Sequence, residues 1–253
     1  MILDNKFFSP SKKFRPKVIR TMKKLKENRT IVVPGEALAN GKDCKVGSGV
    51  YEENNQIYSQ YLGTVEYRKG REVRVKPMKG RYLPREGDSV IAVVSQVTYS
   101  NWILDINSPY DAVMPIGEAV DEYIDLSEDD IADYYDVGDV VIAKIQKVTK
   151  SKDMQVGMKD RRSRKIQGGM VIEVPPTKVP RIIGKKGSMV NMIKEKTGCT
   201  IVVGQNGRTW IRGENEALAA KACKRVARKA QESGLTNKME EWLDGKISEE
   251  GDN

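Results

Sequence analysis

Apolar and polar positions alternate in short runs over most of the chain, and the rhythm changes twice. From Thr30 to Val75 the runs are brief and divided by turn formers. Strands are predicted at Thr30–Gly35, where Pro34-Gly35 ends the run, and at Gly49–Tyr51, Gln56–Leu62, Gly63–Tyr67 and Glu72–Val75. This spacing predicts a compact all-β unit ending near Tyr82-Leu83-Pro84. After Gly87-Asp88-Ser89 the runs lengthen: Val90–Val97, Trp102–Ile106, Ala112–Met114, Val140–Val148 and Met154–Met158 read as five strands, with a polar helical segment over Gly117–Tyr135 between the third and fourth. From Met170 the period mixes two and 3.6. Strand Met170–Val174, helix Val179–Ile183, loop Gly184–Gly187, helix Ser188–Thr197, strands Thr200–Val203 and Thr209–Arg212, and helix Asn215–Ser233 give the order β-α-α-β-β-α.

Both ends lack this order. Residues 1–29 are basic with little apolar periodicity and read as a flexible arm with a short helix over Lys17–Glu27. Past Asn237 the chain is acidic and expected to fray, apart from a helical turn at Met239–Leu243. The divisions are an arm (1–29), an N-terminal β domain (30–84), a second β domain (85–160), an α+β domain (161–234) and an acidic tail (235–253).

Charge sharpens this picture. The net charge of +9 is divided as +11 over residues 1–82, −10 over 83–160, +13 over 161–230 and −5 over 231–253. Two basic blocks point to a polyanionic partner, with simple solubility as the bland alternative. Histidine is absent, which removes the commonest general base and metal ligand and every Ser-His or Cys-His arrangement. Cys44, Cys199 and Cys223 lie far apart, against a disulfide framework or a thiolate metal site. No cofactor and no metal site are expected. No apolar run approaches the roughly 20 residues that span a bilayer. Met1–Phe8 lacks the pattern of a signal peptide, so a soluble, cytoplasmic chain with no membrane partner is expected.

Five strands with a helix between the third and fourth is the layout of an OB barrel, a fold that commonly binds oligonucleotides. In the third domain, Gly184-Lys185-Lys186-Gly187 lies between two short helices. Its glycines permit close backbone approach, and the amides opening the next helix suit a phosphate, with Lys185 and Lys186 adding charge. Alone such a loop is a surface turn. Here it follows Val179-Pro180-Arg181-Ile182-Ile183 and precedes Ser188–Cys199, and the whole run resembles the KH core pattern. The expected fold class is therefore multidomain α+β: a small all-β domain, a five-stranded OB-fold barrel and an α+β KH domain. The KH resemblance implies that the loop clamps single-stranded RNA, with Arg181 beside it and a groove of Ile182, Ile183, Ile201 and Val203 for bases. Ordinary core is the competing reading for those four apolar residues.

The middle domain resembles the OB-type RNA-binding domain named for ribosomal protein S-one, through Gly87-Asp88, Val97-Thr98, Asp105-Ile106, Gly138-Asp139 and Val156-Gly157-Met158-Lys159. Against that pattern, Ser100, Ile103 and Pro115 stand where base-stacking groups are common, and strand alternation turns Tyr99 and Trp102 to other faces. Lys144, Lys147, Lys150 and Lys152 gather toward the join of the last two strands and could guide a phosphate backbone. The acidic run Glu118–Asp139 reads as a solvated helical face, or as a docking surface for a basic partner.

Val32-Val33-Pro34-Gly35-Glu36, Gly47–Tyr51, Val73–Pro77, Gly80–Pro84 and Gly204-Gln205-Asn206-Gly207 resemble the archaeal exosome RNA-binding cap subunits of the Rrp-four type, over about residues 30–232. The resemblance implies a non-catalytic subunit. Three such caps would sit on a hexameric ring of nuclease-type subunits, docked by their N-terminal domains. They would capture single-stranded RNA with an A-rich bias and feed it in 3′-end first. Two rivals remain: a transcription-elongation factor carrying OB and KH domains, and a metal-dependent ribonuclease using the acidic block.

Overall fold

The computed structural model describes residues 23–251, except 41–43, 69–70, 79, 123, 127 and 150, with only the backbone at 250 and 251. The chain divides into two compact units, Met1–Met78 and Lys79–Asn253.

The first unit is all β: β1 Lys23–Lys24, β2 Ile31–Val32, β3 Ala37–Asn40, β4 Lys45–Val46, β5 Val50–Glu53, β6 Gln56–Ser59, β7 Gly63–Arg68 and β8 Glu72–Pro77. They form two four-stranded sheets, ordered β1-β3-β6-β5 and β2-β7-β8-β4. Alternation decides which side faces in. Val65 pairs with Val75 and both are buried, whereas Glu66 pairs with Arg74, whose Nε donates to the Glu66 carboxylate at 2.9 Å. The helix expected over Lys17–Glu27 is not found in its described part. Lys23–Lys24 instead pair with the free edge of β3, and Lys24 Nζ sits 5.0 Å over the Tyr67 ring. The rest of the arm lies outside the described residues.

The second unit starts with the barrel strands β9 Ser89–Val97, β10 Asn101–Asp105 and β11 Ala112–Pro115, then the one-turn helix α1 Ile116–Ala119, then β12 Val140–Val148 and β13 Met154–Gly157. Antiparallel neighbours link β11-β10-β9-β12, and β13 closes the ring by pairing antiparallel with β12 and parallel with β11. Val90, Ala92, Val94, Trp102, Leu104, Met114, Val141, Ala143, Ile145 and Val156 fill the interior. Tyr82, expected to close the first unit, is buried in this core and donates its hydroxyl to Asp88 at 2.6 Å.

Among the described residues, the helix expected over Gly117–Tyr135 reduces to α1 and a 3-10 turn at Ile131–Asp133. Aspartates compete for backbone N–H groups in this run. Asp129 accepts from the Asp125 N–H at 3.0 Å, and Asp130 accepts from Ala132 at 2.9 Å.

A short strand, β14 Arg164–Ile166, adds to β12 at the end of the basic run Lys159–Lys165. The KH-type part follows: β15 Met170–Glu173, α2 Val179–Ile183, α3 Ser188–Thr197, β16 Cys199–Val203, β17 Arg208–Gly213, α4 Glu216–Arg228 and α5 Leu235–Gly251. Its sheet runs β15-β17-β16, all antiparallel. The frayed tail expected past Asn237 is instead the 17-residue helix α5. Leu235, Met239 and Leu243, four apart, bury one face against the module's core, and Arg225 lies 4.8 Å over Trp242.

Candidate nucleic-acid interface

Gly184-Lys185-Lys186-Gly187 joins α2 to α3 in a tight 3-10 turn. Gly184 takes φ 77°, and a Cβ there would stand 2.6 Å from the Met189 backbone nitrogen, so the loop can fold this closely only with glycine. Gly187 occupies the N-cap position of α3, and no side chain caps that end. The Ser188 N–H closes the turn on the Lys185 carbonyl, and the positive end of the α3 dipole, with no side chain to cap it, faces the loop. Lys185 and Lys186 are exposed, and neither meets a carboxylate among the described residues.

The structure sorts the other expected contacts. Of the four apolar residues, Ile182 and Ile201 sit in the core at 0% and 2% exposure, while Ile183 and Val203 are half-buried at the edge of the same core. Arg181 turns away from the loop, donating from Nη2 to the Glu232 carbonyl at 2.9 Å, and so ties α2 to the connection before α5.

On the barrel, Trp102 is completely buried. Its Nε1 donates to the Tyr135 carbonyl at 2.7 Å, and its ring meets Tyr135 edge-on at 5.3 Å. The outward strip beside it pairs Ile103 with Val113 and Asn101 with Pro115, without an aromatic face, while Ser100 is half-exposed. Tyr99 projects from the β9–β10 hairpin at 76% exposure. The lysines expected as one group are divided. Lys147 borders a small pocket with Val113, Pro115 and Met154, and Lys152 is exposed on the next turn. Lys144 points elsewhere, with Nζ 2.9 Å from Asp160. A register shift between Ile145 and Lys147 separates it from the others. Lys150 lies outside the described residues.

Sequence reasoning missed how firmly the barrel holds the KH sheet. Asn206, fully buried, donates from Nδ2 to the carbonyls of Ile91 at 2.8 Å and Ile106 at 2.9 Å, and accepts from the Ile91 N–H at 3.3 Å. The Gln205 N–H donates to the Ser89 carbonyl at 2.8 Å. Arg208 donates to the Asp105 carbonyl at 2.7 Å and its carboxylate at 2.6 Å. Burial pushes the Asp105 carboxyl up, but the Arg208 hydrogen bond, the Asn107 amide and the Arg208 charge outweigh it and hold it below the usual range. Ile91, Ile142 and Trp210 pack a small apolar cluster alongside. Gly207 allows the turn, since a Cβ there would strike the Val174 carbonyl oxygen. Gly204-Gln205-Asn206-Gly207 was legible as part of a family resemblance; nothing local showed that its asparagine enters another domain.

Among the described residues, no group of three or more histidine, cysteine, aspartate or glutamate side chains is placed to hold a metal ion, and no helix is long and apolar enough to cross a membrane.

A closed OB-like barrel clasped to a KH-type module defines a protein of the nucleic-acid-binding class. The KH domain family model matches residues 169–217, and the family described as "Exosome complex exonuclease RRP4 N-terminal region" matches residues 31–68. The protein named "Exosome complex component Rrp4" from Methanobrevibacter smithii is 40% identical over 232 residues, covering 89% of this chain and 76% of its own. Its namesake from Thermococcus kodakarensis is 40% identical, covering 87% of each chain. A crystal structure provisionally described as an exosome complex RNA-binding protein aligns with TM-score 0.62 at 33% identity, covering 67% of this chain and 98% of that one. The chain belongs to the Rrp4 family of exosome complex components.

Proposed function

We propose that this chain is a non-catalytic, cytoplasmic RNA-binding cap that captures single-stranded RNA and passes it, 3′-end first and with an A-rich bias, to a hexameric nuclease ring carrying three caps. The observation that carries the RNA-binding part is the glycine-hinged loop 184–187. It sets two unpaired lysines and an uncapped helix N-terminus at one exposed point, within a segment matched as a KH domain. Gly184, Lys185, Lys186 and Gly187 hold the backbone, and Ile183 with Val203 offers an apolar edge to the bases. Lys147 and Lys152 act as weaker electrostatic guides on the barrel. The first unit is the ring-docking element, and its exposed Ile31, Val33, Val46, Tyr61 and Leu62 suit a protein partner.

The test uses the full chain. It should bind labelled single-stranded RNA and leave it intact with or without Mg²⁺ and phosphate; turnover that survives repurification would defeat the non-catalytic reading. Lys185→Asp with Lys186→Asp should weaken binding on every RNA sequence, and unchanged affinity would reduce the loop to a surface turn. A chain beginning at Gly80 should keep RNA affinity but fail to co-elute with the ring subunits. Co-elution would place docking elsewhere.

A further inference from the structure

Arg161 and Arg162 stand on a tight turn between β13 and β14, and Asp160 builds that turn. Its Oδ1 accepts from the Arg162 N–H at 3.1 Å, its carbonyl accepts from the Ser163 N–H at 2.8 Å, and its Oδ2 takes Lys144 Nζ at 2.9 Å. The hydrogen bond from Lys144, followed by the Arg162 amide, holds this carboxyl below the usual range, so it stays anionic and already engaged at neutral pH. One strand residue further, Arg164 lies 5.7 Å over the Trp210 ring, and Trp210 Nε1 is fixed by the Gly168 carbonyl at 2.8 Å.

Lys144, Asp160, Arg161, Arg162 and Arg164 line an open cleft of about 630 Å³ together with Gly87 and Ser89. Lys144 and Asp160 cancel across it. That leaves three guanidinium groups, none of them in an ion pair among the described residues, although the Arg162 charge also helps to hold Asp160 anionic. A ligand here needs negative charge and several acceptor oxygens, because guanidinium groups bind phosphate through paired N–H donors. The lining has no aromatic face to stack a base and no apolar floor for a partner helix.

We propose that the cleft lined by Lys144, Arg161, Arg162 and Arg164 is a second phosphate-binding site, taking the backbone of single-stranded RNA at the barrel–KH junction. The inference rests on the RNA-binding reading above and adds a contact separate from loop 184–187. It also gives a role to the basic run Lys159–Lys165, which the KH loop does not use.

Arg161→Ala with Arg162→Ala, in the full chain, tests it without touching the Arg164–Trp210 stack. Each phosphate contact on a single strand contributes about −0.7 to the slope of log affinity against log salt, so the double variant's slope should be shallower by about 1.4. Arg161→Lys with Arg162→Lys should restore most of that slope, which a misfolded turn would not do. If the alanine pair binds RNA with unchanged affinity and slope while the Lys185/Lys186 variant loses both, the cleft proposal is wrong and the KH reading stands. If neither pair matters, the RNA-binding reading itself fails. If the alanine pair keeps RNA binding but loses the ring subunits, the cleft serves an acidic protein surface and the proposal is overturned.

Discussion

The barrel lysines and the lysines of the KH loop stand in different surroundings, although elsewhere in the KH-type part Lys196, Arg208 and Lys229 are paired with carboxylates. Lys144 is matched by Asp160 at 2.9 Å, Lys159 by Asp121 at 3.8 Å, and Lys165, on the strand added to the barrel, by Asp139. Lys185 and Lys186 have no carboxylate near them among the described residues, and they stand on a loop whose backbone geometry is set by glycine. The barrel's outward strip likewise carries Ile103, Val113 and Pro115 where a base would want an aromatic. Neighbouring domains can thus share one ligand unequally. The acidic barrel, −10 over residues 83–160, supplies rigid support, and loop 184–187 leaves its two lysines without an ion-pair partner among the described residues. The Asn206 plug and the Arg208–Asp105 pair transmit that rigidity.

The largest effect expected along this divide is on folding. Trp102→Ala empties the barrel core and should cost about 3–5 kcal/mol, read as a lower urea midpoint. The folded fraction should still bind RNA normally, because the ring is 0% exposed. Loss of most RNA affinity by a demonstrably folded variant would mean that this strand's faces have been misassigned.

Next comes the joint. Asn206→Ala leaves the buried Ile91 and Ile106 carbonyls without their donor and should cost about 1–3 kcal/mol. It should also split one unfolding transition of the barrel and KH module into two, followed by tryptophan fluorescence (Trp102 in the barrel, Trp210 and Trp242 in the KH-type part) and far-UV dichroism. A single, unshifted transition would show that the apolar cluster around Trp210 suffices. Below that in size, the Lys185→Asp/Lys186→Asp pair should lose about tenfold in RNA affinity, equivalent to about 1.4 kcal/mol. Lys147→Ala with Lys152→Ala should lose less than about threefold, since exposed charges are largely screened by solvent and salt. A reversal of that order would make the barrel the main RNA surface.

How much of this was legible in the sequence differs between the same two regions. The five barrel strands and the KH order were readable because their apolar periods are regular, and Trp102 falls inward by the alternation that also places Leu104 and Ile106. Gly184-Lys185-Lys186-Gly187 was readable because glycine spacing and helix flanks are local signals. Three features were not. The acidic run Glu118–Asp139 looked helical by polarity, but its aspartates bond their own backbone. The helix after Leu235 was hidden by acidic composition, although Leu235, Met239 and Leu243 carry the four-residue spacing that announces it. Ile182 and Ile201 have the character of either core or groove, and only three-dimensional packing decides between them.

The smallest effect concerns pH and tests the joint from the side of Asp105. Its carboxyl is held below the usual range, with burial pushing up and the Arg208 hydrogen bond and charge prevailing. A carboxylate whose folded pKa is depressed stabilises the native state above its unfolded value, near 3.9, and loses that contribution as pH falls through the folded value. Asp105 is partly exposed to solvent, so the contribution is modest and screened. Several other carboxylates, among them Glu66, Asp153 and Asp160, are also held low, so the acid limb of the wild-type curve alone assigns nothing to one residue. The informative quantity is the difference in unfolding midpoint between wild type and Asp105→Asn. It should be positive and flat from about pH 7 to pH 5, and should shrink toward zero below about pH 4 as Asp105 itself is protonated. Since Arg208 also donates to the Asp105 main-chain carbonyl at 2.7 Å, the asparagine variant should keep the barrel and KH module joined. A difference that stays constant down to pH 3 would mean that the carboxylate charge adds nothing, and that main-chain and Asn206 hydrogen bonds alone hold the two parts together.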